Sequence, residues 1–128
     1  MGLDIYYIDQ YNEPMRLRVP TALKTREYHV LLALASGDKH GLAIARDVEQ
    51  SSDGSVRLWP AMLYGTLDDL VERGWIEEVE EPPAHESEKK RFYSLTRIGR
   101  GILTAETNRL ATLVRAARTR LKRTGAVS

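Results

Sequence analysis

The chain has 128 residues, 42% hydrophobic and 29% charged, with a formal net charge of +1 and no cysteine. That length suits one domain with room for an extra terminal helix. The missing cysteines exclude disulfides, thiolate nucleophiles and Cys-based zinc sites, and the near-zero charge excludes strong attraction of nucleic acid by the net field of the molecule. No apolar run approaches the ~20 residues of a membrane span. MGLDIYYIDQYNEP lacks the basic start and apolar stretch of a signal peptide, so a cytoplasmic protein is expected.

In chain order, residues 1–20 show no clean period, and Pro14 and Pro20 break any long helix, so this stretch reads as an N-terminal arm, disordered or docked. Thr25 can cap a helix that continues as REYHVLLALA, dense enough in apolar residues to be mostly buried. A second helix begins near Gly41, with Leu42, Ile44, Ala45 and Val48 as its apolar side, and closes at Ser51-Ser52-Asp53-Gly54. Val56 to Trp59 is a short extended piece, because the residue before a proline avoids helical angles. Pro60 then suits the first turn of a third helix, whose Leu63, Leu67 and Leu70 share one side with Val71 at its border. Gly74 ends it.

After Gly74 the period changes to two. Trp75 to Val79 and Lys90 to Leu95 read as the strands of a hairpin, with Glu80 to Glu88 as its tip. Six acids and no Lys or Arg lie between Gly74 and Glu88, Glu88 included, and Lys89-Lys90-Arg91 follow at once. Thr96 can cap a last helix from about Arg97 to Lys122. Leu103, Thr107, Leu110, Val114, Ala117 and Leu121 recur along it at alternating steps of four and three, a heptad seam that calls for a partner helix. The order defines a mainly α chain with a small β-hairpin. It is a winged helix-turn-helix over residues 21–96 followed by a dimerisation helix and tail over residues 97–128.

The stretches HGLAIARDVEQ, VRLWPAMLYGTLDDLVERGWIEE and KKRFYSLTRIGRGIL resemble, in this order and spacing, the PadR family of bacterial transcriptional regulators. The resemblance runs from about residue 23 to 121, and the single C-terminal helix is similar to the compact subgroup. It implies a homodimeric DNA-binding regulator, usually a repressor, joined through C-terminal helices. It also implies a possible small-molecule effector, often aromatic, that releases the protein from DNA.

Recognition helices make contact with their N-terminal turns, so Ala61, Met62, Tyr64 and Gly65 are the expected groove-facing residues of the third helix. Asp68, Asp69 and Glu72 lie further along the same water-facing side. There they are expected to act as a repulsive fence, since carboxylates oppose phosphates. Arg57 and the wing bases Lys89, Lys90 and Arg91 are candidate phosphate contacts, with Lys24 and Arg26 as further ones. Leu103, Leu110, Val114, Ala117 and Leu121 are the expected dimer contacts. Trp59 and Trp75, which bracket the third helix, read as core, with an effector-pocket wall as the sharper alternative. His29, His40 and His85 have no metal-ligand spacing, and no GxSxG, P-loop or HExxH motif occurs, so neither metal, cofactor nor catalysis is expected. The rival reading is a protein-interaction winged helix without DNA binding, whose acidic Asp68-Asp69-Glu72 side meets a basic partner.

Overall fold

The computed structural model describes residues 22–80 and 91–123, together with the backbone of residues 2–8 and 14–20. The described chain runs β1 (Gly2–Ile8), β2 (Pro14–Pro20), α1 (Thr25–Ala35), β3 (Lys39–His40), α2 (Gly41–Ser51), α3 (Pro60–Glu72), β4 (Ile76–Val79), β5 (Phe92–Leu95) and α4 (Arg97–Arg123).

The arm takes a definite form. β1 and β2 form an antiparallel hairpin in which Leu3 pairs with Val19, Ile5 with Leu17 and Tyr7 with Met15. The two prolines taken as breakers stand at the first and last positions of β2, where a missing N–H does not interrupt the ladder. The segment that follows is tied to α4: the Leu23 N–H donates to Glu106 Oε2 at 3.3 Å.

Helix ends follow local chemistry. At α1 the cap position is Lys24, one residue before the expected Thr25, and the Glu27 carboxylate accepts the Lys24 N–H at 2.8 Å. This is the reaching-back half of a capping box. His40 caps α2, its Nδ1 accepting the Ala43 N–H at 3.2 Å. α3 ends as a Schellman motif: Trp75 N–H donates to the Leu70 carbonyl and Gly74 N–H to that of Val71, both at 3.0 Å, with Gly74 at φ +78°. Thr96 caps α4 by accepting the Gly99 N–H at 3.0 Å, while its hydroxyl reaches the Gly74 and Trp75 carbonyls at 2.7 and 2.9 Å. Gly99 is forced by this junction, since a Cβ there would collide with the Trp75 carbonyl oxygen.

The wing gains a strand that the sequence does not announce. β5 lies between β4 and β3, all antiparallel, with His40 opposite Phe92 and Lys39 opposite Tyr93. One core joins the elements: Val30, Leu31 and Leu34 of α1 meet Ile44 and Val48 of α2, Leu63, Leu67 and Leu70 of α3, and Ile76, Tyr93, Ile102 and Leu103. At roughly 1.5–3 kcal/mol for each large side chain fully buried, this cluster fixes how α3 is presented. Two expectations fail at its edge. Leu42 is 49% exposed and Trp59 66%, whereas Trp75 is buried as expected. Trp59 immediately precedes α3, where the chain turns outward and the core has already been closed by Leu58 and Leu63.

Candidate nucleic-acid interface

The inner side of α3 is held by Leu63, Thr66, Leu67 and Leu70, all buried, so its outer side is fixed in the open. Pro60, Ala61, Met62, Tyr64 and Gly65 are exposed there. Gly65 has no neighbour within 4 Å of a built Cβ, leaving bare backbone on the helix surface. Tyr64, 41% exposed, stands at the border of this side. Its ring lies over the start of α2, close enough that a Cβ at Gly41 would come within 2.7 Å of its hydroxyl oxygen.

The carboxylates expected as a fence are instead engaged. Arg91, at the root of the wing, lies 3.5 Å from Asp68 and 3.2 Å from Glu78, and covers the Tyr93 ring at 5.6 Å. It therefore ties wing to recognition helix. Arg73 pairs with Asp69 at 3.0 Å and with the buried Glu27 at 3.3 Å, and stacks on Trp75 at 4.9 Å, tying the far end of α3 to the start of α1. Glu72 remains exposed. Arg57 stands 3.7 Å from Glu49 with its side chain over half exposed. Lys24 is exposed and Arg26 half-buried at the start of α1. Lys89 and Lys90 lie outside the described residues.

Between α2 and the start of α3 is a hollow of about 300 Å³, lined by Leu42, Arg46, Arg57, Trp59, Pro60 and Leu63 among others. Beneath the wing, Tyr93 is fully buried, its hydroxyl has no hydrogen-bond partner among the described residues, and burial pushes its pKa up. Among the described residues no cluster of His, Asp and Glu could hold a metal ion.

The seam on α4 divides into two parts. Leu103 is buried in its own core, Thr107 bonds to the Tyr28 hydroxyl at 2.9 Å, and Leu110 is half-buried. Glu106, on the same side, is buried and held below the ordinary carboxylate range, chiefly by its hydrogen bonds from Arg109 and also by the Leu23 N–H. Further on, Leu113, Val114 and Leu121 are 53, 48 and 49% exposed, and Ala117 is also open. Leu113 was missed because it lies one step off the strict heptad, at 100° per residue about 80° from the centre of the seam and on its border beside Ala117.

Three helices with a three-stranded wing and an appended long helix define a winged helix-turn-helix protein. The model of the transcriptional regulator PadR-like family matches residues 30–105. The chain belongs to this family of transcriptional regulators, which is not a family of enzymes. A PadR family transcription regulator from Clostridium difficile is similar in structure, with TM-score 0.63 and 18% identity over 74% of this chain and 96% of that one. A transcriptional regulator from Clostridium thermocellum has TM-score 0.60 and 17% identity over 73 and 89%. Bacillus subtilis PadR, solved in complex with operator DNA, has TM-score 0.55 and 21% identity over 64 and 46%. In sequence, the chain is 38% identical over 84 residues to a 37.1 kDa protein in a transposon of Streptomyces fradiae; the match takes in 66% of this chain and only 22% of that protein. Among the described residues no helix is long and apolar enough to cross a membrane.

Proposed function

We propose that the chain is a repressor that binds a near-palindromic operator as a homodimer, with α3 in the major groove and α4 as the dimer contact. The observation that carries this is the outer side of α3. Its first turns present Ala61, Met62 and Gly65 in the open, and nothing in the described chain covers them. A similar fold has been solved on operator DNA, which supports placing that side against a groove. Arg57 and the wing bases Lys89 and Lys90 serve as phosphate contacts, and Arg91 braces the wing. The stripe of Val114 and Ala117, bordered by Leu113 and with Val114 and Leu113 about half exposed, supports association through α4, with Leu110 at its root and Leu121 toward its end. Release by a small effector completes the proposal and rests on the family resemblance.

The rival, a protein-interaction module, needs a free acidic side, and Asp68 and Asp69 are already paired with Arg91 and Arg73. Selection of bound duplexes from random DNA decides the matter. An enriched inverted repeat, with affinity falling steeply as salt rises, is the expected result. No duplex binding even at low salt would overturn the proposal in favour of the rival.

A further inference from the structure

The leading turn of α3 cannot read hydrogen-bonding patterns on base edges. Its side chains are Pro60, Ala61, Met62 and Leu63, none of which donates or accepts a conventional hydrogen bond. The hydroxyl of Tyr64 sits against Gly41, Gly65 has no side chain, and Thr66 is buried. Beyond Tyr64, itself 41% exposed, the next exposed polar residue is Asp68, which is engaged by Arg91.

What the region does expose is apolar. Trp59 is 66% exposed, and Leu42 and Met62 are each 49% exposed. Scattered exposed hydrophobics need no explanation. Here, however, Trp59 and Leu42 line one hollow at the entry to α3, and Met62 is exposed on the first turn of that helix. Helix stability does not account for Trp59 either. It occupies the cap position with no side-chain bond to the helix, where Ser, Thr, Asp or Asn would be favoured.

We infer that Trp59, Leu42 and Met62 form an apolar lip that reads the C5-methyl groups of thymines in the operator, making Trp59 a specificity-determining residue; this rests on the DNA-binding reading above. In the major groove the thymine methyl is the one apolar feature of the base-pair code, and side chains without polar atoms recognise it by contact. The flanking charges suit a DNA strand as the occupant. Arg46 and Arg57 line the same hollow. Arg46 has no ion pair among the described residues, and Arg57 has only its 3.7 Å approach to Glu49. Glu49 lines the hollow as well and engages Arg57, so Arg46 is the cation left to meet a phosphate beside a thymine seated at the lip.

The test uses the full chain and the duplex recovered by selection. Each half-site thymine is replaced in turn by deoxyuridine, which removes the methyl and leaves every hydrogen-bonding group in place. One or two positions per half-site are expected to lose about fourfold in affinity with the unchanged protein, the scale of one buried methyl. Trp59→Ser, at an exposed cap position that favours Ser, should keep or raise its melting temperature and lose about tenfold on the operator. It should bind scrambled duplex within about twofold of the parent and no longer distinguish thymine from uracil at those positions. Indifference of the parent protein to every deoxyuridine would overturn the inference while leaving DNA binding intact. So would a Trp59→Ser variant with undiminished methyl sensitivity. A parent protein that binds no duplex at low salt would instead overturn the underlying reading, and this inference with it.

Discussion

Replacing Leu113 and Val114 together by aspartate tests whether α4 joins two copies of the chain. Both lie beyond the part of the helix that packs on its own domain, and they are 53 and 48% exposed. Full burial of such a side chain is worth about 1.5–3 kcal/mol, so covering the remaining half of each contributes about 1 kcal/mol. Two positions in two copies give about 4 kcal/mol, before any repulsion between the new carboxylates. At 1.4 kcal/mol per factor of ten, the dimer should weaken about a thousandfold or more. Sedimentation at micromolar concentrations should therefore show a dimer for the parent and a monomer for the variant, with unchanged helical circular dichroism. The Leu110 position is less suited to this test because it is half-buried against its own domain. A double variant that sediments as the parent does would place the interface elsewhere.

Gly65→Ala should raise stability by about 0.5–1 kcal/mol, because the site is open and a helix-interior glycine is unfavourable; Gly65→Glu should keep the fold yet abolish duplex binding, and melting curves beside binding isotherms check both. Arg91→Ala should cost under about 1 kcal/mol in a thermal melt, as exposed pairs do, but weaken duplex binding by freeing Asp68 and Glu78; Asp68→Asn in that background should restore part of the affinity, and failure to do so would separate Asp68 from the effect. Glu106 has a folded pKa below its ordinary 4.5, so the stability it contributes is full above that value and is lost as pH falls below it toward the lowered one. Denaturant titrations should show a flatter acid limb for Glu106→Gln than for the parent, and parallel limbs would contradict the assignment.

The core of the fold was legible because its signals are local. The leucine period of α3, Pro60 at its start, Gly74 at its end and the switch to period two all lie within one stretch. The hairpin formed by β1 and β2 was hidden because its prolines occupy strand ends, while a sequence shows only that prolines are present. Trp59 was misread because hydrophobicity does not reveal on which side of a turn a side chain emerges. The engagement of Asp68 by Arg91, and of Glu27 by Arg73, joins residues far apart in the chain. Nothing in either neighbourhood marks a partner, so Asp68 looked like bare charge on a water-facing side and Glu27 drew no reading. The seam on α4 was visible as a pattern, but where the domain's own core stops covering it depends on the packing of α1 against α4, with Tyr28 reaching Thr107.

From Ala111 to Arg123 the helix α4 projects past that packing for about 20 Å at 1.5 Å per residue. Its root is the close seat of Gly99 on the Trp75 carbonyl, one residue beyond the glycine that ends α3. The projecting part is thus a lever whose fulcrum touches the recognition helix. A tilt of 10° at the fulcrum moves the tip by about 6 Å over the roughly 36 Å from Gly99 to Arg123. In a dimer joined at the levers, the same tilt changes the separation of the two α3 helices, which must match half-sites about 34 Å apart. The distance between operator half-sites would then be set at a single glycine, and whatever shifts that seat acts on DNA binding without touching the DNA-facing surface.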